Sequence, residues 1–139
     1  MLKQLGSRRG RRWVAHTMKA VRGGLKTTVP TATAGAVDVL AQLPGGPIAV
    51  PSPGHTSGHT AYFLPSEKVL FSGDALVTGH PLLEHDGPQL LPSFFTHDEA
   101  LSRLSAEQLA RQPFHTLVPG HGAPIVHDES TPLHIIEKP

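Results

Sequence analysis

The chain has 139 residues, a length that suits one domain, and 38% of them are hydrophobic, which allows a modest core. It has no cysteine, which excludes disulfides, cysteine-type zinc fingers and thiol nucleophiles and fits a reducing, cytoplasmic compartment. No apolar run reaches the roughly 18 residues of a membrane span, so we predict no contact with the membrane interior.

Positive charge is concentrated at the start of the chain. The net charge is +1, but residues 1–37 carry +8 and residues 38–139 carry −7. Such a basic segment is typical of a solvated helix face, of an arm that binds nucleic acid or a membrane surface, or of an organelle transit peptide. We favour the solvated face and disfavour nucleic acid, because one Trp and one Tyr offer few surfaces for base stacking.

The first predicted element is a helix within residues 1–26, interrupted by glycines such as Gly10, with Trp13 and Thr17 on its apolar side. Residues 27–47 are rich in Thr, Ala, Pro and Gly. They predict a loop with one weak strand or turn around residues 37–40.

Three short strands are predicted next, at residues 48–50, 60–64 and 69–71. Residues 65–68 have the composition of a hairpin turn and would join the last two strands. Residues 77–95 predict a long loop, because they contain several prolines and glycines and little periodicity.

A helix and a final strand complete the predicted order. Thr96 and Glu99 have the spacing of a capping box, with Thr96 at the N-cap, and the helix would run to about residue 112. Its buried stripe is predicted from apolar spacing as Ala100, Leu101, Leu104 and Leu109. A last strand is predicted at 115–118. Strands alternating with a helix indicate α/β architecture, in which functional side chains follow strand ends.

Three short segments each place one metal-ligating residue on a Gly/Pro turn beside an apolar run. Pro-Gly-His-Thr-Ser-Gly-His-Thr contains His55, Phe-Ser-Gly-Asp-Ala-Leu contains Asp74, and Val-Pro-Gly-His-Gly contains His121. Any one of these residues alone is more often structural. Together, two imidazoles and a carboxylate suit zinc, and less often iron or manganese.

These segments resemble the C-terminal half of the metallo-β-lactamase-fold hydrolases, the superfamily that includes glyoxalase II, over roughly residues 44–127. The resemblance implies the second half of an αβ/βα sandwich, with a mixed sheet and one or two packed helices. It implies His55, Asp74 and His121 as metal ligands, with Asp74 bridging two metals as the candidate catalytic residue. It also implies a small-molecule substrate with an ester, thioester, lactam, lactone or phosphodiester bond.

The sequence departs from the family in one respect. The family's His-x-His-x-Asp-His signature is absent, so three of seven ligands are present. We therefore expect one weakly bound zinc ion instead of the family's two, with iron or manganese as alternatives, and little turnover from the chain alone. The chain resembles the second half of a roughly doubled protein, as expected for a truncated product, a split gene or a misplaced start.

We predict a basic segment at 1–43, a half-domain at 44–128 and an irregular tail at 129–139. A lone half would leave one apolar sheet face uncovered, which favours self-association, pairing with a complementing half or marginal stability. The alternative to a hydrolase is accordingly a non-catalytic half-domain that binds a partner.

The remaining histidines receive weaker predictions. His59 is expected to order the His55 loop through hydrogen bonds. His80, His85 and His97 are expected on or beside the loop that borders the site, with a helix N-terminal role for His97.

Overall fold

The computed structural model describes residues 6–20 and 37–136. The chain divides into two compact units, Met1–Gly35 and Ala36–Pro139. In the first unit, helix α1 spans Arg8–Ala20, which confirms the predicted helix. The backbone N–H of Gly10 donates to Ser7 Oγ at 2.9 Å, so a serine caps the helix and Gly10 lies inside it without interrupting it. The predicted flanks at 1–5 and 21–26 lie outside the described residues.

The second unit contains five strands, two α-helices and one 3₁₀ turn. In chain order these are α2 (Val37–Ala41), β1 (Ile48–Pro51), β2 (Thr60–Leu64), β3 (Val69–Gly73), the 3₁₀ turn (Ser93–Phe95), α3 (Glu99–Ala110), β4 (Thr116–Pro119) and β5 (Ile125–Val126). The strands form one mixed sheet in the order β1-β2-β3-β4-β5, in which β3 and β4 are parallel and the other neighbours are antiparallel. The predicted α/β class and the four predicted strands are confirmed.

One face of the sheet builds the core. Leu70 pairs with Phe63 on β2 and with Leu117 on β4, and all three are buried. Leu109 of α3 and Phe114, which follows it, belong to the same core cluster and have no exposed surface. Successive side chains of a strand point to opposite faces of the sheet. The neighbours of Phe63, Leu70 and Leu117 in each strand therefore lie on the other face.

The opposite face carries an apolar row that is open to solvent. Ala49, Tyr62, Phe71 and Val118 are register partners across four strands. Tyr62 and Phe71 are each 40% exposed. An apolar sheet face with large exposed side chains was expected for a half-sandwich, and it is present.

The weak strand or turn predicted at residues 37–40 is wrong, because this segment begins helix α2. The amides of Gln42 and Leu43 donate to the carbonyls of Val39 and Leu40, three residues back. Valines are common in strands, but within the described sheet the only neighbour of β1 is β2, so this segment has no strand partner there. Local helical hydrogen bonds satisfy its backbone groups instead.

The predicted N-cap of α3 is also wrong. Asp98, not Thr96, caps the helix, and its carboxylate accepts from the amide of Leu101 at 2.9 Å. Thr96 instead ends the 3₁₀ turn in an extended conformation. The amides of His97 and Asp98 donate to carbonyls of the loop after β1. The backbone of Asp98 is extended, so the helix begins only after this residue.

The buried face of α3 differs from the predicted stripe. Leu109 is buried as predicted, but Leu101 and Leu104 are 38% and 61% exposed, and Ala100 is exposed as well. The buried helix residues are instead Ser102, Ser105, Ala106, Leu109 and Ala110. This face of α3 packs on the backbone of the loop after β1, where small polar side chains fit.

The C-terminal region adds elements that the sequence pattern did not predict. Strand β5 pairs with β4, and Ile136 bridges to Gln89, with its amide donating to the Pro88 carbonyl at 2.7 Å. No helix among the described residues combines the length and apolar character needed to cross a membrane. The three-part division predicted at residues 43 and 128 stays a prediction.

Candidate metal site

The topology brings the three predicted ligands to one edge of the sheet. Strands β1 and β3 run in the same direction, since each is antiparallel to β2, and β4 is parallel to β3. Their carboxyl ends therefore share an edge. His55 follows β1, Asp74 follows β3 and His121 follows β4, so residues distant in sequence meet there.

Asp74 lies between the two histidines. Its Oδ2 is 3.4 Å from His55 Nε2, and its Oδ1 is 3.5 Å from His121 Nε2. The exposed fractions of the side chains are 19% for His55, 29% for Asp74 and 44% for His121. The cluster is thus most open to solvent on the His121 side.

His59 fixes the turn that carries Asp74. The backbone N–H of Asp74 donates to His59 Nε2 at 3.1 Å, and His59 Nδ1 lies 2.8 Å from Ser52 Oγ. A ring nitrogen that accepts carries no proton, so in the neutral ring Nδ1 donates to the serine oxygen. Burial, and then the proximity of His55, lower the pKa of His59, which favours this neutral form. The predicted loop-ordering role of His59 is confirmed.

Sequence reasoning did not single out Ser52 as the partner of His59. Ser52 is fully buried, and its amide also donates to the His59 carbonyl at 3.0 Å. Its position directly after strand β1 is the signal that could have identified it, because a hydroxyl buried there needs a partner inside the following loop.

Two glycines allow the backbone to approach the cluster closely. Gly73 has φ of +53°, and a Cβ there would lie 2.7 Å from His59 Nε2. A Cβ on Gly120 would collide with Asp74 Oδ1 and with the Gly73 backbone. A side chain at either position would displace a residue of the cluster.

Helix α3 anchors the His55 loop. The amides of His97 and Asp98 donate to the carbonyls of His55 and Gly54, at 3.2 and 3.0 Å. Ser105 Oγ donates to the Pro53 carbonyl at 2.6 Å. The helix thus contacts the loop backbone through small polar side chains, which explains its serine-rich buried face.

The loop that carries His121 is bound to the segment after β3. The amide of Gly120 donates to the Gly73 carbonyl at 2.8 Å, and the amide of Thr78 donates to the His121 carbonyl at 3.0 Å. Thr78 Oγ1 donates to the Ala123 carbonyl at 2.6 Å. These bonds fix the His121 turn relative to Asp74.

The loop histidines have different positions. His80 contacts His121 ring to ring, with centroids 5.1 Å apart, so it adjoins the cluster. His85 and His97 are exposed, and His97 stands just before the helix N-cap. Sequence reasoning placed all three on or beside the loop that borders the site and distinguished only His97, whose predicted place at the helix N-terminus agrees with the structure.

Asp74 forms two separate contacts with the candidate imidazole ligands. Within residues 6–20 and 37–136, no group of three or more His, Asp or Glu side chains is arranged to hold one ion. Each imidazole instead faces a different oxygen of Asp74. The buried Nδ1 of His55 has no hydrogen-bond partner in this part of the chain.

Comparison with known families agrees with this fold. A family model described as the metallo-beta-lactamase superfamily matches residues 7–121. The Bacillus subtilis (strain 168) protein named "Probable metallo-hydrolase YflN" is 32% identical over an alignment of 82 residues, and the match covers 55% of this chain and 31% of that protein. The chain therefore spans about a third of this relative.

One of the solved structures compared shares the fold of this chain. The structure of TTHA1623 in a di-iron-bound form shares 23% identity, covers 86% of this chain and 57% of that one, and has a TM-score of 0.50. The metallo-beta-lactamase family protein TTHA1429 from Thermus thermophilus shares 27% identity over 58% of this chain and 25% of that one, with a TM-score of 0.41. With the family model matching most of its length, the chain belongs to the metallo-beta-lactamase superfamily.

Proposed function

We propose that this chain supplies the C-terminal share of a metal-dependent hydrolase site, with His55, Asp74 and His121 as metal ligands. The observation that carries the proposal is the position of Asp74, whose two carboxylate oxygens each face a different imidazole Nε2, at 3.4 and 3.5 Å. A carboxylate placed in this way suits a bridge between two ions.

The spacing of the donor atoms supports this arrangement. Two ligands at about 2.0–2.1 Å from a tetrahedral zinc ion are about 3.3–3.4 Å apart, close to both measured separations. His55 and His121 would hold metal together with Asp74, whose two oxygens face the two rings. The remaining ligands would come from a His-x-His-x-Asp-His segment, which these 139 residues do not contain.

The chain's own residues would hold and orient the reacting groups. A bound metal ion would supply a Lewis acid and lower the pKa of water towards about 7. His59 and Gly120 hold the Asp74 turn, and α3 holds the His55 loop. We propose zinc, with iron or manganese as alternatives, weak binding by this chain alone and little turnover without the other ligands. The substrate would be a small molecule with an ester, thioester, lactam, lactone or phosphodiester bond.

A complementation assay tests this function. The chain is co-expressed with an N-terminal fragment from the same superfamily, chosen to contain a His-x-His-x-Asp-His segment, and the purified pair is assayed against an aryl ester, a thioester, a lactam and a phosphodiester. Hydrolysis by the pair, lost with Asp74→Asn and kept with His85→Ala, is the expected result. A co-purifying, metal-loaded pair that hydrolyses none of these substrates contradicts the proposal.

A second candidate is a non-catalytic half-domain that binds a partner. The open row of Ala49, Tyr62, Phe71 and Val118 favours it, because large exposed apolar patches mark interfaces. Light scattering should then show self-association of the wild type, abolished by the double substitution Tyr62→Ser and Phe71→Ser. A stable wild-type monomer that captures no complementing half excludes this candidate.

A further inference from the structure

His80 and His121 form an edge-to-face pair beside Asp74. Their ring centroids are 5.1 Å apart and their planes are inclined by 85°. His80 makes a second ring contact with Phe95, at 5.3 Å and 70°. Phe95 also contacts the ring of Phe94, with centroids 4.1 Å apart. A continuous series of four rings therefore ends at His121, one of the proposed ligands.

Backbone contacts hold the two histidines in this relation. Thr78 bonds the His121 carbonyl through its amide and the Ala123 carbonyl through its hydroxyl, at 3.0 and 2.6 Å. A Cβ on Gly122 would collide with the backbone of Gly79 and with Thr78. The segment that carries His80 is thus packed directly on the turn that carries His121, which fixes the two backbones relative to each other.

A local hydrogen bond also fixes the orientation of the His80 ring. The amide of Leu82 donates to His80 Nδ1 at 3.2 Å, so in the neutral ring the proton is on Nε2.

We propose that His80 is a positioning residue that holds the His121 imidazole in line with Asp74 and so prepares it to bind a metal. The inference rests on the proposed role of His121 as a ligand. With 44% of its side chain exposed, His121 needs a neighbouring group to limit its rotamers. Orientation by a neighbouring side chain lowers the entropy that a ligand loses on binding.

Three variants separate positioning from ordinary loop packing. His80→Ala removes the ring. His80→Phe keeps an aromatic edge against His121 but cannot accept from Leu82. His85→Ala is the matched control, since it removes an exposed imidazole from the same loop. Each variant is measured twice: by the NMR signal of the His121 ring in the metal-free chain, and by zinc affinity in competition with a chelating dye.

His80→Ala should shift the His121 ring signal and weaken zinc binding by about tenfold, the lower end of the usual effect of such residues. His80→Phe and His85→Ala should stay close to wild type in both measurements. The inference is overturned if His80→Ala matches His85→Ala, or if His80→Phe loses as much as His80→Ala. If the wild type binds no zinc, the proposed function fails, and the metal-free NMR signal still decides the positioning role.

Discussion

The backbone amide of Asp74 donates a hydrogen bond to the ring of His59, although 15 residues separate them in the sequence. This bond links the loop after β1 to the turn after β3. The same ring is held on its other side by Ser52. His59 therefore positions the proposed bridging carboxylate through the main chain, without contacting its oxygens in the described hydrogen bonds.

Replacing His59 by Ala should destabilise the chain by about 1–3 kcal/mol, because the Asp74 amide and the buried Ser52 hydroxyl both lose their partner. Urea denaturation of the metal-free protein measures this change. His97→Ala serves as the control, since that side chain is exposed, and it should have little effect. Equal stability of the two variants would show that the His59 network is dispensable.

The lowered pKa of His59 predicts a pH dependence of stability. In the unfolded chain the imidazole has its ordinary pKa of about 6.5, and in the folded chain its pKa is lower. Below 6.5 the unfolded state therefore binds more protons, and the free energy of unfolding falls as the pH drops. Burial, and then the proximity of His121, lower the pKa of His80 as well, so its titration also reduces the free energy of unfolding as the pH drops.

Denaturation of the metal-free protein between about pH 5.5 and 7.5 measures this dependence, since the window brackets the ordinary imidazole pKa. His59→Gln should flatten it in part, because His80 remains. A wild type that gains stability on acidification through this window would contradict the assignment.

Gly120→Ala should displace the Asp74 carboxylate, because the new Cβ would collide with Oδ1. We expect a loss of about 1–3 kcal/mol in stability, typical of overpacking, together with weaker zinc binding. Gly58→Ala is a matched control, since nothing lies within 4 Å of a Cβ at that position of the His55 loop. If the two variants have similar thermal stability and similar zinc affinity, the close approach of the Gly120 backbone to the Asp74 carboxylate is refuted.

Two leucines of α3 test its orientation. Leu109→Ala should cost about 2–5 kcal/mol, because this side chain is fully buried, whereas Leu104, at 61% exposure, should tolerate the same substitution with a change below about 1 kcal/mol. Chemical denaturation of the two variants gives the comparison directly. A larger loss of stability for Leu104→Ala than for Leu109→Ala would instead support the buried face predicted from apolar spacing.

Local sequence signals predicted the strands and the three motif segments. Short apolar runs bounded by Gly and Pro identify β1 to β4, because turn residues and alternation act over a few positions. The motifs around His55, Asp74 and His121 were recognisable for the same reason. That the three side chains meet follows from the parallel pairing of β3 with β4, which a single sequence does not display.

The failures concern contacts made by distant segments. Apolar periodicity selected Leu101 and Leu104 for burial, but the buried face of α3 lies against the His55 loop. There Ser102 packs against Gly54, and Ser105 Oγ donates to the Pro53 carbonyl. Carbonyls of the same loop accept hydrogen bonds from the amides of residues 97–98, and the helix begins after these residues instead of at Thr96.

Zinc titration of the metal-free chain, comparing wild type with Asp74→Asn, is the decisive measurement for the proposed site. The substitution keeps the shape of the side chain and its backbone bond to His59 but removes the charge that the two imidazoles face. We predict measurable zinc binding by the wild type and at least about tenfold weaker binding by Asp74→Asn, with His85→Ala unchanged. Zinc binding that is absent in the wild type, or equal in the wild type and Asp74→Asn, would contradict the proposed role of Asp74.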